Sequence, residues 1–272
     1  MELIPNLSIA LVIYNEELHL DDCLKSIIDL SDDIIILHDG PCSDKSRDIA
    51  LKYGVSFLEM ERKGMCEAHR IESINRTRNE WVLIIDADER PSKELRENLF
   101  DLVNNDKFDA YEFIWPLYNG ERVLCEKWPR KKSLFRKSKL RYIDFPHMDF
   151  KTNGVCHKTN LILHHFPNYD NYTYHSFKTK WSKWAKIQAK LTINKFDTFN
   201  KIGVHDLNDW SNYFKFKRNF PELFLIFGFY DFYKSLVSGG WSGGLYTLKS
   251  SFMWGAYNSM VYFYVMLNKW KN

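Results

Sequence analysis

Two aspartates, Asp86 and Asp88, stand at the end of a strongly apolar run in the segment 81–91, WVLIIDADERP. A short run without polar alternate positions is typical of a strand buried on both faces, and open α/β sheets bind ligands at the carboxyl ends of such strands. If the chain stays extended there, both carboxylates point to the same side. Such a pair suits Mg²⁺ or Mn²⁺, which completes its shell with water and phosphate oxygens. The alternative is a structural turn in which an aspartate caps the next helix.

Acidic side chains also follow two earlier apolar runs. Tyr14-Asn15-Glu16-Glu17 follows the run 7–14, and the segment 39–46, DGPCSDKS, follows the run 33–38. Three strands would thus bring carboxylates to one edge of a sheet, which predicts a nucleotide site with a bridging cation. The chain contains neither GxGxxG nor GxxxxGK[ST], which argues against a dinucleotide site and a P-loop. It also lacks the glycine-rich loop that a sugar-phosphate nucleotidyltransferase would carry after its first strand.

The elements that must position these residues alternate along the first hundred residues. Apolar runs predict strands, and apolar residues at helical spacing predict helices. Strands are expected at 7–14, 33–38, 55–59 and 81–85, and helices at 18–30, 43–53, 65–77 and 92–103. This alternation predicts an α/β fold with a doubly wound, mostly parallel sheet. Ser43 and Ser92 are expected as helix caps.

The later part of the chain has a different pattern. Strands are expected at 110–116 and 161–165, and the region between them carries a basic strip, seven cations between Arg130 and Arg141. This strip is either a solvated edge or a surface that faces an anion. The segment 174–194 predicts a basic amphipathic helix with Phe177, Trp181, Trp184, Ile187 and Leu191 on its apolar face. The nine tryptophans are expected in the core, and the alternative for Trp115 or Trp128, which lie in the loop-rich stretch, is stacking on a sugar ring of the acceptor.

Charge divides the chain unevenly. The 272 residues carry a net charge of +3, but residues 171–272 hold 14 Lys/Arg against 5 Asp/Glu, and residues 1–170 hold 24 against 30. This distribution argues against nucleic-acid binding and favours attachment to a membrane surface. Five scattered cysteines indicate a reducing compartment. The run 7–14 is expected to be a strand, not an export signal. The longest uncharged segment that could be considered for a transmembrane helix is 250–267, but it contains four Ser or Asn residues, so a membrane-spanning helix is not expected.

These motifs together resemble the inverting family 2 glycosyltransferases of GT-A fold. The matching order is a strand and YNEE, a strand and DGPCSDKS, a helix with Arg70, and a strand and DADE. Within that family the chain is most similar to the lipopolysaccharide core β-1,4-glucosyltransferase group. That likeness rests on DADERP, the Leu-Phe-Arg segment 134–136, His147, the Ile-Leu-His segment 162–164 and the glycine-rich segment 239–244.

The resemblance implies a role for each matching residue. Tyr14, Glu16 and Asp39 would line the uridine pocket, and Arg70 would lie near the donor nucleotide. Asp86 would contact ribose or sugar, and also stand beside the cation, whereas Asp88 would hold the Mg²⁺ or Mn²⁺ that bridges the two phosphates. Apart from the resemblance, His157, His164 and His165 lack a recognisable ligand spacing and are expected to be hydrogen-bonded structural residues, with approach of His164 to the metal or diphosphate from a neighbouring strand as the alternative.

The general base is expected where the chain departs from the family pattern. The related group tends to have His-Glu, whereas this chain reads Pro146-His147-Met148-Asp149. We therefore expect Asp149 to be the base that deprotonates the acceptor hydroxyl, with His147 as the alternative.

The leading hypothesis is an inverting, metal-dependent glycosyltransferase. It would move a hexose, with glucose favoured, from a UDP-sugar to a glycan or glycolipid such as a lipopolysaccharide core or surface polysaccharide. Residues 1–168 would form the nucleotide-sugar-binding and catalytic domain, and residues 169–272 a helical, basic and aromatic-rich region that is either a membrane-surface or an acceptor-side element. The protein is expected in the cytoplasm, attached peripherally to the inner face of the membrane. The alternatives are a catalytically inert, membrane-docked module of the same fold and, less favoured, a nucleotidyltransferase.

Overall fold

A computed structural model describes residues 3–194, 199–205, 212–241 and 243–270. Contacts between Cα atoms divide the chain into two compact units. The sheet unit comprises the described parts of Met1–Trp115, Arg130–Phe166 and Asn200–Gly203. The helical unit comprises the described parts of Pro116–Pro129, Pro167–Phe199 and Val204–Asn272.

The described residues form thirteen strands. They are β1 (Leu7–Ile13), β2 (Ile34–Asp39), β3 (Ser56–Met60), β4 (Trp81–Ile84), β5 (Glu89–Pro91), β6 (Ala110–Ile114), β7 (Leu117–Tyr118), β8 (Val123–Cys125), β9 (Arg130–Arg136), β10 (Leu140–Ile143), β11 (Lys151–Thr152), β12 (Cys156–His165) and β13 (Lys201–Ile202). Eight of them form one sheet in the order β3-β2-β1-β4-β9-β6-β12-β5. Strands β10, β11 and β13 form a second sheet, and β7 pairs with β8.

Nine α-helices lie in the described part of the chain. They are α1 (Leu20–Lys25), α2 (Ser46–Lys52), α3 (Arg70–Asn75), α4 (Lys93–Val103), α5 (Tyr174–Ser176), α6 (Ser182–Ile193), α7 (Asn212–Asn219), α8 (Phe224–Ser235) and α9 (Leu245–Trp270). A 3₁₀ turn, Cys66–His69, leads into α3, and π-helical turns follow α5 and α8 at Phe177–Trp181 and Leu236–Gly240.

The sheet confirms the predicted α/β class. Strands β3, β2, β1 and β4 run parallel, as do β6 and β12, whereas β9 is antiparallel to both of its neighbours. Every residue of β1, β2 and β4 is buried, which explains their unbroken apolar runs. Because β1, β2 and β4 are parallel, their carboxyl ends lie at one edge, where the predicted site residues follow them.

Two helix starts test the predicted caps. Ser92 caps α4 as expected, since its Oγ accepts the Leu95 backbone N–H at 3.1 Å. The prediction for Ser43 was wrong. Helix α2 begins at Ser46, whose backbone N–H donates to the Asp44 carboxylate at 2.9 Å. A carboxylate two residues before the helix satisfies this free N–H better than the more distant serine.

The helical unit is built around aromatic side chains of the π turn before α6 and of α8 and α9, with Trp181, Phe227 and Tyr257 buried at its centre. The predicted helix at 174–194 forms as α5, a π turn and α6. Its buried face is turned from the predicted one. Trp181 is buried with Ala185 and Ala189, while Trp184 is only half-buried. Within the described ranges, no helix combines the length and apolarity needed to cross a bilayer.

Candidate active site

The segment 86–88 follows the end of β4 after one intervening residue and leads into the short strand β5, which begins at Glu89. The Asp86 carboxylate is clamped by two cations. It accepts from Arg70 Nη2 at 3.1 Å and from Lys131 Nζ at 2.7 Å. Burial works against ionisation, but Lys131 and Arg70 outweigh it and hold the pKa of Asp86 below its ordinary value. Arg70 comes from the first residue of α3 and Lys131 from β9, so Asp86 joins two elements to the end of β4.

Glu89 is the buried centre of this network. Its side chain is 0% exposed and accepts from Lys131 Nζ at 2.6 Å and from Trp115 Nε1 at 2.5 Å. It also accepts the Asp86 backbone N–H at 2.9 Å, which fixes the turn that carries both aspartates. Burial raises the pKa of Glu89, even though Lys131 opposes the shift. Sequence reasoning assigned no role to Glu89 or individually to Lys131. The antiparallel insertion of β9 beside β4 brings them together.

Asp88 faces a histidine. His165 Nε2 lies 3.2 Å from Asp88 Oδ2, and the Trp115 indole stacks on the His165 ring with 3.8 Å between centroids. Burial alone would raise the pKa of Asp88, but the contact with His165 outweighs it, so the pKa lies below its ordinary value. The expected histidine, His164, is instead the register partner of Arg90 across the β12–β5 pair, while His165 is that of Glu89. The prediction was therefore one residue away from the histidine that meets the motif.

Asp39 lies at the end of β2 and is only 1% exposed. Its carboxylate accepts from Arg62 Nη1 at 3.1 Å, from the backbone N–H groups of Lys63 and Gly64 at 2.7 and 2.9 Å, and from His69 Nε2 at 3.0 Å. Four protein donors thus occupy Asp39, which orders the loop 62–64. Its predicted contact with a nucleotide stays a prediction.

The loop ordered by Asp39 lies against Tyr14. The Arg62 guanidinium is 3.3 Å from the Tyr14 ring centroid, a cation–π stack on a half-exposed aromatic face. Gly40, with φ +101°, makes this approach possible, since a Cβ there would lie 2.8 Å from Arg62 Cδ. Glu16 is half-buried beside Tyr14, and its backbone N–H donates to Ser46 Oγ at 2.8 Å. Tyr14, Glu16 and Asp39 therefore do follow adjacent strand ends, as the sequence predicts.

Both base candidates lie in the loop between β10 and β11. Asp149 is exposed and lines a cavity of about 210 Å³ whose walls also include Arg70 and Lys131. His147 is half-buried with φ +55°, and its Nδ1 is 4.0 Å from Glu67 Oε1. Asp149 thus shares a cavity with two residues that clamp Asp86, whereas His147 does not line it.

Two donors near the motif, one oxygen and one nitrogen, are available to a divalent cation. No group of three or more His, Cys, Asp or Glu side chains suited to hold a metal occurs within the described residues. Asp88 and His165 nevertheless converge, and Mg²⁺ and Mn²⁺ sites commonly use one or two protein ligands with the remainder from phosphate and water. The residues therefore fit a cation whose shell a diphosphate completes.

Comparison with known proteins gives a consistent family. Residues 8–172 match Glycosyl transferase family 2. An uncharacterized glycosyltransferase of Rickettsia bellii is 30% identical over 253 residues, which cover 86% of this chain and 83% of that protein. One of Rickettsia typhi is 23% identical over 254 residues, covering 85% and 82%.

A similar solved structure is glucosyl-3-phosphoglycerate synthase from Mycobacterium tuberculosis in complex with Mn²⁺ and UDP-glucose. It has a TM-score of 0.45 and 13% identity over 72% of this chain and 86% of that chain.

Proposed function

The chain belongs to glycosyl transferase family 2, and from this premise we propose an inverting, metal-dependent hexosyltransferase that uses a UDP-sugar as donor. The observation that carries the proposal is the clustering of Asp86, Asp88 and Glu89 with Arg70, Lys131 and His165 at the carboxyl edge of the parallel strands. The carboxylates of the segment DADE are thus each held in place by a neighbouring cation or histidine, as a preorganised binding site requires. The GT-A type of sheet agrees with this family.

On the donor side, we assign Asp88 and His165 to the cation, which when bound would stabilise the negative charge that develops on the UDP leaving group. Asp86, held by Arg70 and Lys131, would orient ribose or sugar hydroxyls. Tyr14 and Glu16 would line the uridine pocket, and Asp39 would support that pocket by ordering the loop of Arg62.

On the acceptor side, we assign Asp149 as the general base, with His147 as the alternative. The acceptor hydroxyl oxygen attacks the anomeric carbon of the sugar as Asp149 takes the hydroxyl proton. The bond from the anomeric carbon to the diphosphate oxygen breaks, and that oxygen keeps the electron pair. Attack from the side opposite the leaving group inverts the anomeric configuration.

Glucose as the transferred hexose and a lipopolysaccharide core or surface polysaccharide as acceptor rest on the motif likeness alone. The deciding experiment is UDP release from UDP-glucose and other UDP-hexoses by purified protein with Mn²⁺, Mg²⁺ or EDTA. We expect cation-dependent release that Asp88→Asn and Asp149→Asn reduce by at least about 100-fold. Asp101→Asn, on the exposed side of α4, is the matched control. No release and no cation-dependent UDP binding by calorimetry would favour the inert module.

The helical unit supports a proposed peripheral site on the inner face of the cytoplasmic membrane. Large apolar side chains on α8 and α9 stay exposed, among them Leu225 at 68%, Phe229 at 70% and Leu245 at 85%. Leu225, Phe229 and Tyr233 recur every four residues on one face of α8, a pattern that suits insertion at a headgroup interface. Exposed Lys234 and Lys249 on the same two helices favour anionic lipids.

Sedimentation with vesicles tests this proposal. We expect the protein to bind phosphatidylglycerol-containing vesicles more tightly than phosphatidylcholine vesicles, and salt to weaken the binding. Phe229→Ser should reduce binding, whereas Leu18→Ser, which removes an apolar side chain 75% exposed on the sheet unit, should not. Equal loss with both variants would contradict a specific role for the helical face.

A further inference from the structure

A cavity of about 210 Å³ in the sheet unit is lined by eight residues, among them the carboxylates Glu112 and Asp149 and the cations Arg70, Arg130, Lys131 and Lys132. It is smaller than the roughly 300–1,000 Å³ of sites that enclose a drug-sized ligand, so it suits one small polar group at a time. Four of its eight lining residues are cations. Its walls come from α3, β6, β9 and the loop that carries Asp149.

The four cations differ in what already neutralises them. Arg70 and Lys131 are committed to Asp86 and Glu89. Arg130 has no acidic partner among the described residues, and its Nη1 donates at 2.6 Å to the backbone carbonyl of Thr159. A guanidinium has five N–H donors, so most of its donors remain available.

Lys132 is the second available cation. Its ammonium forms no hydrogen bond or ion pair with a described residue. The nearest acid in register is Glu112, which is the pairing partner of Lys132 on β9 and of Lys158 on β12. One carboxylate thus stands between two lysines. Arg130 and Lys132 are both only half-exposed, so each is already partly shielded from water. A bound anion would replace the water molecules that remain around them with charge-assisted hydrogen bonds.

We propose that this cavity is an acceptor subsite for a phosphate group, held by Arg130 and Lys132, so that the sugar acceptor is a phosphorylated glycan. This inference rests on the proposed function and adds the chemical class of the acceptor to it. The same cavity contains Asp149, so a phosphate on Arg130 and Lys132 brings a hydroxyl of the same molecule beside the assigned base. The phosphate is not altered in the reaction. The acceptor hydroxyl gives its proton to Asp149, its oxygen bonds to the anomeric carbon, and UDP leaves with the electron pair.

The test separates an acceptor subsite from a donor site. Inorganic phosphate is titrated by calorimetry into protein that is first saturated with UDP and Mg²⁺. We expect phosphate to bind, and we expect Arg130→Met and Lys132→Met each to raise its Kd at least about tenfold, which is the usual effect of losing one charge-assisted hydrogen bond. Lys139→Met removes an exposed cation of the same basic strip outside the cavity and should leave binding unchanged. Arg130→Lys keeps the charge and should bind better than Arg130→Met. Thermal melts confirm that each variant is folded.

A second arm distinguishes free phosphate from a phosphorylated sugar. Glucose 6-phosphate should accelerate UDP release from UDP-glucose more than glucose does, and Arg130→Met should abolish the difference, whereas inorganic phosphate should inhibit the accelerated reaction. No phosphate binding to UDP-loaded protein, or equal acceleration by the two sugars, overturns the subsite. Phosphate binding that UDP displaces assigns the cavity to the donor diphosphate and also overturns it. A different result would contradict the proposed function itself, namely the absence of cation-dependent UDP binding.

Discussion

Replacing Asp144 with asparagine should remove a pH-dependent loss of stability. Asp144 follows β10, is 8% exposed, and accepts from the Ile71 backbone N–H at 3.3 Å and from Asn200 Nδ2 at 3.2 Å. Burial raises the pKa of its carboxyl to about 7, and the contact with Asn200 only partly opposes this. Ile71 is the second residue of α3, which begins with Arg70, so Asp144 helps to place a residue of the active-site cluster.

The raised pKa of Asp144 determines whether stability rises or falls with pH. The folded chain binds this proton more tightly than the unfolded chain, whose carboxyl keeps the ordinary pKa of 3.8. The stabilisation is therefore complete below pH 3.8 and is lost as the pH rises to about 7. At about 1.4 kcal/mol per pH unit, the loss between pH 5 and pH 7 amounts to about 3 kcal/mol.

The assay is urea denaturation of the wild type, Asp144→Asn and the exposed control Asp101→Asn at pH 5 and pH 8. Asparagine keeps an acceptor for the Ile71 N–H but cannot ionise. From pH 5 to pH 8 the unfolding free energy of Asp144→Asn should rise relative to the wild type by about 3 kcal/mol, while that of Asp101→Asn should not. The same difference at both pH values would refute the reasoning, because burial would then not be retaining the proton.

Three further predictions concern the site and its frame. His165→Gln should raise the Mn²⁺ concentration needed for half-maximal UDP binding by about tenfold or more, whereas His164→Gln should change it little; equal effects in calorimetry would contradict the assignment of His165. In urea denaturation, Lys131→Met should lower the unfolding free energy by about 3–5 kcal/mol, because Glu89 loses its buried counter-ion. Lys131→Arg keeps the positive charge and should retain most of the wild-type stability. Ser92→Ala should cost about 1 kcal/mol in thermal denaturation and Ser92→Asp much less, since aspartate also caps; no loss in the alanine variant would count against the cap.

The sequence was sufficient for the part of the fold that local patterns determine. The unbroken apolar runs before Tyr14, Asp39 and Asp86 predicted buried parallel strands, and the residues after them share one edge. Parallel order follows from short crossover helices, so the convergence of these ends was also predictable.

The rest of the site depends on pairings between distant segments. Lys131 reaches Asp86 only because β9 is inserted antiparallel beside β4, 45 residues along the chain. His165 meets Asp88 because of the register between β12 and β5, and a shift of one residue would have brought His164 there instead. The backbone N–H groups of Lys63 and Gly64 donate to the Asp39 carboxylate, and no local pattern near Asp39 indicates this contact with the loop 62–64.

The two aspartates of the motif differ in the partners that the protein gives them, and this difference supports the separate roles proposed for them. Asp86 is neutralised by Arg70 and Lys131, whose positive charges are fixed at neutral pH, and a metal cation at Asp86 would have to displace or oppose both. Asp88 has as its partner an imidazole, which in its neutral form is itself a metal ligand. A cation arriving with a diphosphate would therefore meet less charge repulsion at Asp88 than at Asp86, which supports the proposal that Asp88 holds the metal and Asp86 contacts the sugar or ribose.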